Sequence, residues 1–437
     1  MEWWLILLIL FGSFSLLLLT GMPVAFCFMF MNVIGVAFWW GGAGGLQQLT
    51  LSMFTSVATW SLLPVPLFIL MGEIMFQSGI TPYMMDALDK WLGRLPGRLS
   101  LLAIAGGTLF ATLSGSSMAA TALLGSTLVP EMQKRGYKKP MCLGPILGSG
   151  GLAIMIPPSG LAVILGALAQ VSIGQLLIAI IIPGLLMAFN YAVYTIGRCW
   201  LQPNLAPTYE VPPIPLLEKT MAAVRYILPL GLILLGVTGV IFLGIATPTE
   251  AAATGLLATV ILAAAYRRLN WQLTKKATSA ALQVTIMVFM IISGAMAFAQ
   301  ILAFTGATAR LSELAIGLQV APIVVVIVMM VIVLILGCFM DIVAIMMICL
   351  PIFMPVIEAL GFSGVWYGVI FLLNIEMAMT TPPFGMILFV MKGVAPPDTT
   401  MKDIYLAGLP YLYCDAISMA LIIAFPAIAL WLPGLMR

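Results

Sequence analysis

Long apolar runs recur along the whole chain, separated by short stretches that contain glycine, proline or charged residues. A helix needs about 20 mainly apolar residues to cross a hydrocarbon core of about 30 Å, and such runs are typical of membrane-spanning helices. The pattern therefore predicts an all-α polytopic membrane protein. The predicted crossings are 3–19, 22–40, 52–79, 137–168, 172–197, 221–244, 249–266, 278–304, 364–391 and 404–432.

Two further apolar stretches, 98–132 and 322–357, are interrupted midway by small and polar residues. One arm, 98–113, would span only about 24 Å as a helix, which is too short to cross the membrane. If both stretches are re-entrant hairpins, all 18 Lys and Arg residues except Arg310 and Arg437 lie on one side. Positively charged loops face the cytoplasm. The first hairpin is thus expected to open to the cytoplasm and the second to the outside, with both chain termini outside.

The order of elements is the same in two halves of the chain, 1–200 and 221–437. Each half has three crossings, a connector, a hairpin, a broken crossing and a final crossing. Five full crossings make the second half begin on the opposite face, which predicts an inverted repeat as in secondary transporters. A proline-rich cytoplasmic linker at 201–220 is expected to be extended. The hairpins and broken crossings are 98–132 and 137–168 in the first half, and 322–357 and 364–391 in the second.

Two of the crossings contain a Pro-Pro pair, Pro157–Pro158 and Pro382–Pro383. Each pair begins 41 residues after a polar residue at a hairpin tip, Ser116 or Asp341. Proline lacks an N–H and clashes with a continuing helix, so each crossing is expected to break there and free carbonyls upstream. Irregular backbone at membrane depth is tolerated only where it is buried in protein or lines a cavity. The breaks and tips are therefore candidate functional sites.

Carbonyl and hydroxyl oxygens suit hard cations, and a cage with little fixed charge suits a monovalent ion such as Na⁺. The sequence predicts two Na⁺ sites, each formed by one hairpin and one broken crossing. The first contains Ser114, Gly115, Ser116, Ser117, Gly150, Ile156, Pro157, Pro158 and Ser159, and the second Gly337, Asp341, Asn374, Thr380, Thr381, Pro382, Pro383 and Gly385. Half-helix N-termini would favour an anionic substrate, which is expected near Ser116, Ser159, Asp341 and Thr381.

Other interpretations of these residues stay open. Small residues also permit close helix packing in membranes. Asp341 is either an ion ligand, as intramembrane carboxylates often are, or the N-cap of a half-helix. Glu376 can be structural, and Asn374 either binds an ion or fixes helix packing. Outside the sites, Thr247 and Glu250 have the spacing of a capping box.

Composition narrows the function classes. Only 8% of residues are charged and the net charge is +3, which does not indicate a nucleic-acid partner. The absence of histidine removes the commonest general base and transition-metal ligand and excludes a Ser–His dyad. The six cysteines are scattered, without a CxxC pair, and are expected to be buried. We therefore expect no enzyme activity, no catalytic residue, no transition metal and no cofactor. A channel is an alternative, since broken helices also build selectivity filters.

Several stretches, spread over most of the chain, resemble the large membrane subunit of tripartite ATP-independent periplasmic (TRAP) transporters, the DctM-like family. They are "SGSS" at 114–117, "LVPEMQKRGY" at 128–137, "IPPS" at 156–159, "VSIGQL" at 171–176, "GIATPTEAAATG" at 244–255 and "TTPPFGMILFVMKGVA" at 380–395.

The resemblance implies an elevator-type transporter of the ion-transporter superfamily, driven by a Na⁺ gradient in a bacterial or archaeal cytoplasmic (inner) membrane. It implies two partners, a small four-helix membrane subunit of the Q type and a periplasmic substrate-binding protein of the P type. Family substrates are mostly organic acids, such as C4-dicarboxylates, sialic acid and sulfonates. The alternative is a self-sufficient Na⁺- or H⁺-coupled anion symporter that needs no binding protein.

Overall fold

The computed structural model describes residues 3–39, 43–93, 95–207, 214–317, 319–338 and 340–436. Some residues named in the predictions lie outside this part of the chain; they are Trp40, Arg94, Pro212, Pro213, Arg437 and the side chain of Ser114.

The described residues form α-helices joined by short turns. In chain order the helices are α1 Trp3–Leu19, α2 Val24–Trp39, α3 Ala43–Val57, α4 Pro64–Gln77, α5 Thr81–Leu92, α6 Arg98–Ser114, α7 Ser117–Lys134, α8 Lys139–Met155, α9 Gly160–Leu168, α10 Ile173–Ala179, α11 Ile181–Leu201, α12 Leu216–Ala222, α13 Leu228–Phe242, α14 Pro248–Ala265, α15 Trp271–Phe304, α16 Ala307–Gly317, α17 Pro322–Gly337, α18 Ile342–Ala359, α19 Gly364–Thr380, α20 Met386–Val394, α21 Met401–Ala424 and α22 Ala427–Gly434.

The predicted crossing 52–79 is wrong at its start. Residues 52–57 belong to α3, and a 3₁₀ turn at Trp60–Leu62 leads into α4. The helix cannot continue because Thr59 is extended, and because Pro64 can begin a helix but not extend one. The apolar segment long enough to cross the membrane is Trp60–Gln77.

The connector α5 is amphipathic and buries Met84 against the bundle. Its polar side joins it to two other segments. Lys90 contacts Glu218 of α12 at 3.1 Å, and this hydrogen bond raises the pKa of Lys90. Asp89 binds Arg98 at the start of α6. The connector therefore links the inter-half segment to the first hairpin.

Both hairpins and both broken helices are present. α6 and α7 pack together as the first hairpin, and α17 and α18 as the second. α8 and α9 form the first broken helix and bend by 47° at the break. α19 and α20 form the second, interrupted over 381–385. Each hairpin packs against the broken helix that follows it.

Several predicted boundaries need correction. α15 begins at Trp271, before the predicted 278, because Asn270 caps a polar first turn that hydropathy does not detect. The predicted crossing 404–432 is two helices, since Pro426 cannot continue α21. The linker is not extended throughout, because α12 begins at Leu216. α16, which carries Arg310, is the connector that precedes the second hairpin.

The two halves match with a constant step of 225 positions. This step relates Ser116 to Asp341, which are the N-caps of α7 and α18. It also relates Pro157–Pro158 to Pro382–Pro383, and both pairs contain a cis peptide bond. Among the described residues, seven helices are long and apolar enough to cross a membrane, or eight if α8 and α9 count as one bent span. The predicted fold class, an all-α inverted repeat with re-entrant hairpins, is confirmed.

α8 lies at the centre of the bundle and contacts α6, α7, α11, α19 and α21. All but two of its residues are buried. Its contact with α21 requires glycine, since a Cβ at Gly148 would lie 2.7 Å from the Tyr411 ring and one at Gly144 would meet the same ring. The absence of side chains lets the two helices approach closely.

Candidate ion and substrate site

The tip of the first hairpin is a tight turn between α6 and α7. Gly115 has φ +59, in the left-handed region that favours glycine. Ser116 is the N-cap of α7, and its Oγ accepts a hydrogen bond from the Ala119 N–H at 3.3 Å. Because the first N–H groups of a helix have no partner within it, the tip carries the positive end of a half-helix.

Two residues of α7, Ser117 and Thr121, meet α8 beside this tip. A Cβ at Gly150 would overlap the Thr121 Oγ1 and lie 3.4 Å from the Ser117 carbonyl oxygen. The Ser117 and Thr121 hydroxyls are buried and have no hydrogen-bond partner among the described residues. A buried hydroxyl without a partner is costly. The sequence prediction included Ser117 and Gly150 but missed Thr121, although a spacing of four residues places Ser117 and Thr121 on one helix face.

The first break follows six residues after Gly150. Ile156 is extended, with φ −121 and ψ 119, and Ser159 is the N-cap of α9, accepting from the Ala162 N–H at 3.3 Å. The break lies against α11, where a Cβ at Gly184 would lie 2.8 Å from the Ile156 side chain. Gly150, where the hairpin contacts α8, therefore lies upstream of the prolines.

The second hairpin tip also reaches its broken helix. A Cβ at Gly337 would overlap the Ala378 side chain, and the Cys338 Sγ lies 3.8 Å from the Pro382 carbonyl oxygen. Asp341 caps α18, and its Oδ2 accepts from the Val343 N–H at 3.0 Å. The capping role considered for Asp341 is therefore present, three residues after Cys338.

Oxygen atoms cluster at the second break. Thr380 Oγ1 and Thr381 Oγ1 donate to the Met377 carbonyl oxygen at 3.0 and 2.6 Å, which leaves hydroxyl lone pairs available to accept. A Cβ at Gly385 would lie 3.0 Å from the Thr381 carbonyl oxygen and would also overlap the Met379 carbonyl oxygen. Glycine at this position lets the chain turn back over its own carbonyl groups.

Asn374 joins the second broken helix to the second hairpin. Its Nδ2 donates to the Met330 carbonyl oxygen of α17 at 2.9 Å. Its Oδ1 is buried and has no hydrogen-bond partner among the described residues. Asn374 thus fixes helix packing with one end of its amide and offers an oxygen ligand with the other.

Glu376 lies fully buried where the two broken helices cross. Its carboxylate packs on Gly151 of α8, since a Cβ there would overlap both oxygens. Neither oxygen has a hydrogen-bond partner in the described part of the chain. The sequence allowed a structural role for Glu376 but gave no indication of Gly151, because a contact between residues so far apart has no local signal.

A second buried carboxylate was not anticipated. Asp415 of α21 is 1% exposed and accepts a hydrogen bond from the Tyr191 hydroxyl of α11. It lies near enough to Glu376 for the two carboxylates to interact electrostatically. Next to this pair, the Tyr411 and Thr195 hydroxyls are 2.8 Å apart. The bundle interior therefore contains a layer of polar side chains. Tyr411 and Asp415 belong to this layer although they lie in the apolar run 404–432.

The ligand chemistry of these residues is that of hard oxygen donors. The first site offers the Ser117 and Thr121 oxygens, and the second offers those of Asn374, Thr380 and Thr381. In the described ranges no group of three or more His, Cys, Asp or Glu residues could hold a metal ion, and the six cysteines are buried. Such donors suit a monovalent hard cation better than a transition metal.

Paired hairpins and broken helices with oxygen-rich breaks define the architecture of a secondary transporter. The sequence model of the family "Tripartite ATP-independent periplasmic transporter, DctM component" matches residues 11–428. The chain therefore belongs to this family, and the resemblance found in its motifs is confirmed.

Individual relatives agree with this assignment. The chain is 31% identical over 394 residues to the C4-dicarboxylate TRAP transporter large permease protein DctM of Pseudomonas aeruginosa, covering 89% of this chain and 90% of that protein. It is 31% identical over 424 residues to the ectoine TRAP transporter large permease protein TeaC of Halomonas elongata, covering 96% and 97%. The fold resembles the crystal structure of the Alcanivorax borkumensis YdaH transporter, with a TM-score of 0.63, 16% identity and 91% of each chain covered.

Proposed function

We propose that this chain is the large membrane subunit of a Na⁺-driven secondary transporter that imports organic acids by an elevator mechanism. The observation that carries the proposal is the contact of Ser117 and Thr121 with Gly150. The Ser117 and Thr121 hydroxyls are buried where the first hairpin packs on the first broken helix, and they have no hydrogen-bond partner among the described residues. The chain is a member of this permease family.

Na⁺ fits the first site because the oxygens there are neutral. A bound monovalent cation supplies the electrostatic partner that buried hydroxyl lone pairs require, and it brings little surplus charge into the membrane. The second site offers Asn374 Oδ1, the Thr380 and Thr381 hydroxyls and the Asp341 carboxylate. Two Na⁺ ions, one per site, are the coupling ions of this proposal.

The substrate is an organic acid whose carboxylate lies near Ser116, Ser159, Asp341 and Thr381. α7 and α9 begin at Ser116 and Ser159, and the N-terminus of a helix favours an anionic group. One relative is named for C4-dicarboxylates and another for ectoine, and both compounds contain a carboxylate. A Na⁺ ion at each site would offset the repulsion between the substrate and Asp341.

The elevator proposal rests on two sets of contacts. α4 contacts α14, α15 contacts α2, and α4 and α15 contact each other. These four helices would form a stationary frame. The hairpins, broken helices, α11 and α21 contact one another and would move as one body. The excess of Lys and Arg on one face supports an orientation with both termini outside the cytoplasmic membrane.

We also propose that the chain works with the two partners typical of a tripartite system, a small four-helix membrane subunit and a periplasmic substrate-binding protein. Uptake into proteoliposomes should require the binding protein on the outer face. Uptake at full rate by this chain alone would instead support the stand-alone symporter.

The Na⁺ sites are tested in proteoliposomes that contain the complete transport system and an imposed Na⁺ gradient. Ser117→Ala combined with Thr121→Ala should raise the Na⁺ concentration for half-maximal uptake several-fold, because two ligand oxygens are lost. Ser126→Ala, which removes an exposed hydroxyl of the same helix, is the matched control and should leave uptake unchanged. An unaltered Na⁺ dependence in the double variant would refute the site assignment.

A further inference from the structure

A polar cavity of about 600 Å³ lies between α4 and α15, away from the hairpins and broken helices. Apart from Ala280, it is lined by Gln77, Gln272, Lys275, Lys276, Ser279 and Gln283. Five of these six polar residues lie on one face of α15, at spacings of three, four and seven residues. Polar side chains on the surface of a membrane helix need a polar environment or a ligand.

The length of α15 places this cavity at the level of the lipid headgroups. α15 has 34 residues and is about 51 Å long, whereas the hydrocarbon core is about 30 Å thick. Lys275 and Lys276 are its only charged residues, and both lie in its first turns. The excess length therefore extends from this end, and Trp271, 80% exposed, has the position of an interfacial aromatic anchor.

The cavity has a strong positive bias. Lys275 and Lys276 are exposed, and neither takes part in an ion pair among the described residues. Glu73 of α4 interacts with the Gln77 side chain at the edge of the cavity. The lining thus combines two ammonium groups with three carboxamide groups, and none of the described lining residues is acidic.

A second group of residues marks the same face of the protein. The Arg268 guanidinium lies 5.4 Å from the centre of the Tyr83 ring and donates to its hydroxyl at 2.7 Å. The Tyr226 ring stacks between Tyr83 and Tyr266, with centroid distances of 5.4 and 5.9 Å. Stacked tyrosines with arginine are typical of the membrane–water interface, where aromatic rings anchor a helix bundle.

We propose that this cavity binds an anionic phosphate group, with the headgroup of an anionic phospholipid in the cytoplasmic leaflet as its source. Lys275 and Lys276 pair with the phosphate oxygens, and the amide N–H groups of Gln272 and Gln283 donate to them. Basic pockets between membrane helices on the cytoplasmic side have the charge and the position to hold such headgroups. The site is separate from the proposed Na⁺ and substrate sites and does not depend on transport.

The test is native mass spectrometry of the purified chain titrated with phosphatidylglycerol, with phosphatidylcholine and with inorganic phosphate. Lys275→Gln combined with Lys276→Gln should weaken phosphatidylglycerol binding about 10- to 30-fold. The matched control is Lys134→Gln with Lys138→Gln, which removes the same charge from exposed lysines elsewhere and should bind normally.

The outcomes separate the possible sources of the phosphate group. Tight binding of phosphatidylglycerol but not phosphatidylcholine, lost only in the cavity variant, supports the lipid headgroup. Binding of inorganic phosphate alone, lost in the same variant, supports the phosphate site and overturns the lipid source. Equal phosphatidylglycerol binding by the wild-type chain and the cavity variant overturns the site itself.

Discussion

Gly151 and Glu376 occupy equivalent positions in the two halves, each six residues before a Pro-Pro pair, and they pack directly against each other. The Glu376 carboxylate fills the space that a side chain at position 151 would need. Equivalent residues in contact must lie at the axis that relates the two halves. One half therefore supplies a buried acid at this axis and the other supplies the room for it.

Gly151→Ala should destabilise the protein by about 1–3 kcal/mol, because the added methyl group overlaps a buried carboxylate in a packed interior. The measurement is the apparent unfolding temperature in detergent. Gly197→Ala in α11, where nothing lies within 4 Å of the new Cβ, is the control and should have little effect. Adding Glu376→Ala to Gly151→Ala should recover part of the loss, since contacting residues are energetically coupled. If Glu376→Ala restores none of the stability lost in Gly151→Ala, the two residues are not in contact.

Tyr191→Phe should destabilise the fold by about 1–3 kcal/mol, because it leaves the buried Asp415 carboxylate without its hydroxyl donor. Tyr413→Phe alters a 62% exposed tyrosine of α21 and should be neutral. In combination with Asp415→Asn the cost of Tyr191→Phe should shrink, since a neutral amide loses less than an unpaired carboxylate. If Tyr191→Phe lowers the stability equally with and without Asp415→Asn, the pairing of Tyr191 with Asp415 is contradicted.

Asp341→Asn separates the two roles of this residue. Asparagine caps helices about as well as aspartate, so the stability of α18 should be preserved. The negative charge is lost, however, and the Na⁺ concentration for half-maximal uptake should rise by about an order of magnitude. Uptake with a normal Na⁺ dependence and normal stability would show that Asp341 is only a helix cap.

Arg98→Lys should weaken the attachment of α5 to α6. The Arg98 Nε and Nη2 donate to the two oxygens of Asp89 at 2.8 and 2.6 Å, a bidentate geometry that lysine cannot reproduce. We expect a lower unfolding temperature and slower uptake. Arg135→Lys, in the more exposed pair with Glu131, should change neither by a measurable amount. Equal effects of the two substitutions would indicate a general loss of arginine rather than a loss of this contact.

Local signals in the sequence were sufficient for the architecture. The Pro-Pro pairs and the polar hairpin tips are visible as interruptions of apolar runs, and they correspond to breaks in the structure because proline and glycine act on their own backbone. The capping box of Thr247 and Glu250 is confirmed for the same reason, since its partners are three residues apart. Signals of this kind need no knowledge of the tertiary fold.

Interactions between distant segments were not predictable in the same way. Thr121 faces Gly150 and Asp415 binds Tyr191 only because separate helices pack at particular angles. Asp415 lies in a run whose hydropathy is high enough to hide one carboxylate. Helix ends shifted for a related reason, as at α15, where a polar first turn outside the hydrocarbon core carries no hydropathy signal.

The close approach of α8 to α21 limits how this protein can change during evolution. Gly148 faces the ring of Tyr411, so a larger residue at 148 requires a smaller one at 411, whereas a Cβ at Gly144 would also lie 2.6 Å from the Ala407 carbonyl oxygen, which no change at 411 removes. A protein with a substitution on only one of the two helices is less stable, whereas a protein with matched substitutions on both helices is not. In an alignment of close homologues, positions 148 and 411 should therefore covary, with a small residue opposite a large one, and position 144 should remain glycine.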